Sequence, residues 1–331
     1  MVQIQYFALT LVPILLFVVV VIWMDAFSLT NWRRLVHCMI AGAVCFGLTL
    51  LAGSLMIESA FMPYFTAILA ESLKGIPLLY LVLNRKIVML GDATIYGSGV
   101  GAGYAIGETV HIVMRTSISH GMAVMLGFEA AVMHIGCSSL LAYGLIIAKQ
   151  ETSNRSYMIR NVGVVMVFLI TITVHIIHNV VPINPIILTS ILVVYFILSK
   201  RHIFKKNEKA IHNWIDQSLN NDVALLASIK RGGLTSTNAG IYLLSIKDAF
   251  EPEVFFDICC YISEYLELSI TAKSNIIMKE AGFPVQRDPK TQARITELKA
   301  LRQNIGRVGA EAVKPIVNID DVDRWAVEAL L

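Results

Sequence analysis

The sequence has few charged residues, and it lacks any cysteine spacing typical of a metal knuckle or a disulfide framework. Charged side chains make up 15% of its 331 residues and hydrophobic ones 56%, whereas soluble domains average about 25% charged residues. This composition excludes an ordinary soluble protein. The net charge of +3 is small, so we expect no nucleic-acid partner. The five cysteines fit the role of small buried hydrophobic residues.

The first 24 residues also lack the two features of a cleaved signal peptide, which are a basic start and a small-residue cleavage site. We therefore expect them to remain as a first membrane span. Further apolar runs of about 18 to 25 residues follow, which is the length of a helix that crosses a bilayer. They crowd into the first 200 residues and predict seven spans: 5–24, 36–56, 61–83, 91–114, 121–147, 161–181 and 184–199.

Positive charges follow every second predicted span. The loops after the even-numbered spans carry almost none, and the basic residues after the odd-numbered spans are Arg33, Arg34, Arg85, Lys86, Lys149, Arg155, Arg160, Lys200, Arg201, Lys205 and Lys206. Because basic loops stay in the cytoplasm, the N-terminus is expected outside and the C-terminus inside the cell. The sequence therefore predicts an all-α, polytopic transmembrane helix bundle in the cell membrane over residues 1–203, with a cytoplasmic helical domain over 204–331.

Ionisable side chains inside the predicted spans are costly in lipid, so they indicate a function and a position facing the protein interior. Span 3 carries Glu71 and Lys74, which lie on one helix face because they are three residues apart. A structural ion pair and a functional pair explain these two residues equally well. Span 4 carries Glu108 after a glycine-rich run that permits close helix approach, and Tyr104 lies one turn earlier on the same face.

Two later spans carry histidines. Span 5 has His134 with Ser138 four residues later, and Glu129 on another face of the helix. Span 6 has His175 and Asn179 on one face, with His178 one turn from His175 in a role that also fits structure alone. The histidine and asparagine pattern of span 6 could bind a metal, hold a water or hydrogen-bond an oxyanion.

The depth of these residues in their spans indicates a shared site. Glu71, Glu108 and His175 fall in the outer half of the bilayer, and His134 lies near the middle. We expect all four to converge on one polar cavity open to the outside. Water, a base and oxyanion donors in such a cavity are what peptide hydrolysis requires.

At these residues the sequence resembles the PrsW family of intramembrane proteases, within the superfamily of CAAX prenyl endopeptidases. The family has a Glu-Glu-x-x-Lys motif, an aromatic-x-x-x-Glu motif and histidine motifs on two later helices. The residues that resemble these motifs, within about 60–182, are Glu71 and Lys74, then residues 92–97 with Gly101 to Glu108, then His134 with Ser138 and Gly144, and then His175 with Asn179. The resemblance implies a protease-like transmembrane domain. It also implies cleavage of a single-span membrane protein at its extracytoplasmic side, as in anti-sigma-factor signalling.

The sequence departs from the family pattern at two positions. Ala70 replaces the first glutamate of the paired motif, and Thr109 replaces the asparagine that often follows the second-motif glutamate. The resemblance implies that the glutamate pair supplies the base that activates water. With Ala70 in place, either Glu71 acts alone or the protein is inactive.

The sequence is compatible both with a zinc cofactor and with a metal-free site. The chain has no His-Glu-x-x-His zinc motif, although Glu108, His134 and His175 could form a zinc site. Alternatively, Glu71 and Glu108 activate water while His134, His175 and Asn179 polarise the carbonyl and stabilise charge. We slightly favour this metal-free version, because asparagine and serine partners suit hydrogen bonding better than zinc.

Two other functions compete with proteolysis. Buried glutamate, histidine and lysine also build ion-coupled transporters, but the inverted repeats usual in such proteins are not visible in the sequence. The second alternative is a catalytically impaired relative that binds a membrane partner and signals through its cytoplasmic domain, which Ala70 favours. The size of residues 204–331 suggests a cytoplasmic binding partner or a regulatory role.

Overall fold

A computed structural model describes residues 2–25, 27, 30–56, 60–150, 157–181, 185–285, 289–317, 319, 321–328 and 330. The regular elements in these residues are all helical, which confirms the predicted all-α class. The helices are α1 (Val2–Trp23), α2 (Trp32–Ser54), α3 (Met62–Leu83), α4 (Leu90–Arg115), α5 (His120–Ala130), α6 (Gly136–Gln150), α7 (Tyr157–Val180), α8 (Pro185–Lys230), α9 (Asn238–Ile246), α10 (Pro252–Glu280), α11 (Pro289–Asn304), α12 (Gly306–Val313) and α13 (Asp321–Glu328).

Five helical stretches among the described residues are long and apolar enough to cross a membrane: Ile4–Trp23, Trp32–Ser54, Met62–Leu83, His120–Lys149 and Val162–Val180. They match predicted spans 1, 2, 3, 5 and 6. Predicted span 7 is the beginning of α8, and its first residue, 184, lies outside the described residues, as does Arg155. The structure is consistent with the predicted polytopic bundle.

Predicted span 4 is α4, which has 26 residues but is not among the five apolar stretches. It is buried by protein from Leu90 to Ala105 and packs against α1, α2 and α6. A helix that faces protein on all sides has no lipid-facing surface to make apolar, so it tolerates glycine, serine and acidic residues that a peripheral helix does not.

Glycines let α4 approach its neighbours closely. A Cβ atom at Gly103 would overlap the carbonyl of Met39 on α2, and one at Gly101 would overlap the carbonyl of His134. In the reverse direction, a Cβ at Gly42 of α2 would overlap the carbonyl of Val100. The glycine-rich run therefore sets the interhelical distances around the central helix, as the sequence predicted.

The contacts divide the chain into two compact units, residues 1–25 with 29–207, and residues 26–28 with 208–331. The sequence placed this boundary at 203, and the cytoplasmic role of the second unit stays a prediction. The second unit has its own apolar core, in which Ile258, Ile262 and Leu266 of α10 are fully buried. Lys273 of α10 is buried with carboxylates of Asp222 and Asp323, at 2.5 Å and 3.3 Å.

Candidate active site

The first part of the site is a buried ion pair on α3. Glu71 and Lys74 lie on the same helix face, as their spacing predicted, and Nζ of Lys74 donates to Oε1 of Glu71 at 2.6 Å. Both side chains are completely buried. An unpaired charge at this depth would be costly, so each residue stabilises the charged form of the other.

Helix α7 brings His175 to the same carboxylate. Nδ1 of His175 lies 2.7 Å from Oε1 of Glu71. Because a carboxylate only accepts, Nδ1 carries the proton, and in the neutral ring the lone pair is left on Nε2. The second oxygen of Glu71, Oε2, is buried and has no hydrogen-bond partner among the described residues. Glu71 therefore keeps one free acceptor beside a histidine that also has one.

His134 links α3 to α4. Its Nδ1 lies 3.3 Å from Nζ of Lys74, and its Nε2 lies 2.6 Å from Oε2 of Glu108. An ammonium only donates, so Nδ1 accepts from Lys74 and the proton sits on Nε2, which donates to Glu108. The side chain of Glu108 is 33% exposed, whereas that of His134 is 1% exposed. Glu108 is therefore the partly exposed acidic side chain of the cluster.

Aromatic contacts hold the cluster in place. The ring of Tyr104 lies 4.5 Å from that of His134, between centroids, and Nζ of Lys74 lies 5.0 Å from the centre of the tyrosine ring. The rings of His134 and His175 are 5.3 Å apart in an edge-to-face arrangement. At these distances the tyrosine face attracts the ammonium and limits the orientations of the imidazole.

His134 lies in a π-helical turn, Ala131–Ile135, between α5 and α6. A π turn contains one residue more than an α turn, so it changes which residues share a face. The sequence predicted that Glu129 lies on a different face of the helix from His134. Glu129 Oε1 lies 3.1 Å from Nε2 of His178 on α7. This pair was not predicted, because helical spacing shows which residues share a face of one helix but not which residues of two helices meet.

The remaining predicted residues are not all at the cluster. Asn179 is exposed and donates from Nδ2 to the carbonyl of Pro63 at 3.3 Å. Ser138 is buried, and its hydroxyl has no partner in the described part of the chain. Ala70 is fully buried and packs beside Cys45 and Tyr104. Thr109 is buried, and its hydroxyl donates to the carbonyl of Ala105 within α4.

Three of these residues form a donor set suited to a metal ion. One ligand atom each from Glu71, His134 and His175 lies within 4.8 Å of the others, and all three residues are buried. One carboxylate and two imidazoles are ligands that zinc accepts in catalytic sites. The free Oε2 of Glu71 also fits this reading. The group differs from the predicted zinc set by having Glu71 where Glu108 was expected, since Glu108 pairs with His134.

A bundle of apolar helices that buries carboxylates, imidazoles and a lysine in one hydrogen-bonded cluster is typical of polytopic membrane proteins whose intramembrane ionisable residues have a function. The family model described as PrsW family intramembrane metalloprotease matches residues 13–200. The chain belongs to this family, which confirms the resemblance found in the sequence. Neither the comparison with curated proteins nor that with solved structures gave a match.

Proposed function

We propose that the chain is an intramembrane endopeptidase that hydrolyses a peptide bond of a single-span membrane protein near the extracytoplasmic side. The observation that carries the proposal is the single hydrogen-bonded cluster of Glu71, Lys74, His134, Glu108 and His175, from α3, α4, α7 and the π turn. Membership in a protease family supports it. The alternating basic loops support an extracytoplasmic site and a cytoplasmic C-terminal domain.

The two carboxylates suit different tasks. Glu71 is held at Oε1 by Lys74 and His175, which leaves Oε2 free to accept a proton from a water. Glu108 is more exposed, and its hydrogen bond from His134 keeps the carboxylate beside the imidazole. The free nitrogen of His175, Nε2, is an acceptor in the neutral ring and can take up a proton. The imidazolium formed in this way can stabilise developing negative charge or protonate a leaving group.

The donor set also fits the metal named in the family description. Glu71, His134 and His175 would hold it, and a bound zinc ion would supply polarisation of the peptide carbonyl and a lowered pKa of the attacking water. Lys74 already donates toward two of these three residues, Glu71 and His134. Its ammonium and a cation therefore compete for the same donors, which keeps the metal-free version open beside the metal version.

The experiment is co-expression with a reporter made from a single-span membrane protein. We expect Glu71→Gln and Glu108→Gln each to abolish cleavage while the protein accumulates at its native level. The matched control is Glu253→Gln, which changes an exposed glutamate at the start of α10 in the second unit. Undiminished cleavage in both site variants would show that the reaction takes place elsewhere.

Ala70 supports one alternative, a catalytically impaired relative that binds a membrane partner and signals through residues 204–331. In this reading the buried alanine beside Tyr104 is a lost catalytic carboxylate. The discriminating variant is Ala70→Glu, assayed with the same reporter. Cleavage by the variant but not by the native chain supports the alternative, and cleavage by the native chain excludes it.

A further inference from the structure

The pair formed by Glu129 and His178 lies beside the catalytic cluster but has no part in the proposed chemistry. Both side chains are about one-fifth exposed, and Oε1 of Glu129 lies 3.1 Å from Nε2 of His178. Nε2 of His178 makes no hydrogen bond in the described part of the chain, and the contact with Glu129 is an ion pair when the imidazole is protonated. It joins α5 to α7, two helices that share no extended packing among the described residues.

Helix α7 exposes much of its surface. Only 11% of its apolar span is buried, and large side chains such as Val165, Leu169 and Ile177 are exposed. In the described part of the chain its main packing partners are α3 and α6. Yet α7 supplies His175, whose bond to Glu71 needs a placement accurate to a fraction of an ångström.

The ion pair lies one turn beyond His175 on the same helix face, because residues 175 and 178 are three positions apart. Its partner, Glu129, is in the segment that continues through the π turn to His134. One segment, α5 with the π turn, therefore carries Glu129 and His134. The other, α7, carries His178 and His175. The pair of Glu129 and His178 therefore connects the segment that supplies His134 to the helix that supplies His175.

We propose that Glu129 and His178 are positioning residues, whose ion pair fixes the end of α7 so that His175 stays in contact with Glu71. This inference rests on the proposed protease function for its catalytic consequence.

The test is a double-mutant cycle on the full chain in lipid nanodiscs, with Glu129→Gln, His178→Gln and both together. We expect each single variant to lower kcat by about tenfold with KM unchanged. The kcat of the double variant should fall no further than that of the slower single variant, because either single change already removes the ion pair. His178→Lys keeps a positive charge opposite Glu129 and restores most of the rate. The control is His120→Gln, which changes a histidine at the start of α5 that stacks on Tyr6.

Amide hydrogen exchange on the same samples separates this inference from the proposed function. We expect both single variants to speed exchange at residues 172–180 of α7 and leave α2 unchanged, whether or not the chain cleaves the substrate offered. Additive losses of rate in the cycle, or native exchange rates at residues 172–180 in both variants, would overturn the inference. If no variant or native sample cleaves the substrate, the exchange result alone decides it.

Discussion

His134 donates from Nε2 to Glu108 at 2.6 Å, while its other ring nitrogen faces Lys74. This arrangement fixes one neutral tautomer of a buried imidazole by means of a cation on one side and an anion on the other. The proposed reaction centre is therefore ordered before any substrate binds, which is what efficient catalysis requires.

Replacing His134 tests whether this ordering matters. His134→Asn removes the link between Lys74 and Glu108 without introducing a charge, and we expect the cleavage rate to fall on the order of 100-fold. The amount of protein extracted from the membrane should stay near the native level. The measurement is the initial rate with the reconstituted chain. A variant that retains the native rate would show that His134 serves packing alone.

Lys74 tests the charge balance of the site. Lys74→Met leaves Glu71 buried without its ammonium partner, which should destabilise the fold by about 3–5 kcal/mol. The double variant Glu71→Gln with Lys74→Met removes both charges and should recover most of that loss, although not the activity. Thermal unfolding in detergent measures the stability of both variants.

The same variants address the metal. Because Lys74 competes with a cation for Glu71 and His134, added zinc should raise the melting temperature of Lys74→Met more than that of the native chain. Glu71→Gln with Lys74→Met is the control, since it lacks the carboxylate ligand. An equal zinc response in all three proteins would indicate binding outside the cluster.

Gly103 tests the close approach of α4 and α2. Gly103→Ala puts a Cβ against the backbone of Met39, so the helices must move apart, at a cost of about 1–3 kcal/mol. Gly47→Ala on α2 is the matched control, because a Cβ there meets nothing within 4 Å. Detergent unfolding should separate the two variants, and equal stabilities would contradict the packing described here.

Glu267 of α10 gives a pH dependence in the second unit. Its hydrogen bond to Lys230, helped by the nearby Arg294, lowers the pKa of the carboxyl. A lowered pKa means that the contribution to stability is present above the unfolded-state pKa and is lost as the pH falls through the folded-state value. The difference in hydrogen exchange of α11 between Glu267→Gln and the native chain should therefore be present at pH 7 and vanish in acid. A constant difference would contradict this origin.

Five of the seven predicted spans coincide with long apolar helices, and the sequence singled out most residues of the cluster because ionisable side chains are costly inside apolar spans. Glu71, Lys74 and His175 stood out as costly side chains within apolar runs, and simple helical spacing placed the first two on one face. The pairing of Glu129 with His178 could not be predicted, since it depends on which faces of α5 and α7 meet, and spacing along one helix does not show this. Asn179 matched the family motif, but the packing of α7 exposes it away from the cluster.

α4 shows that a helix can be part of the bundle without being apolar enough to be recognised as a membrane span by hydropathy alone. Its glycines and Glu108 lower its apolar character, yet the helix is central to the bundle because protein surrounds it. Ala70 packs beside Cys45 of α2 and Tyr104 of α4, and the sequence alone does not show that these residues are its neighbours.

The most direct test of a proteolytic centre at Glu71 and Glu108 is mass spectrometry of the products formed by the purified chain from a single-span substrate in liposomes. The account predicts one new pair of termini in the extracytoplasmic part of the substrate, formed by the native chain and by Glu253→Gln but not by Glu71→Gln. The same cut produced by Glu71→Gln at the native rate, or no cut by any of the proteins, would contradict it.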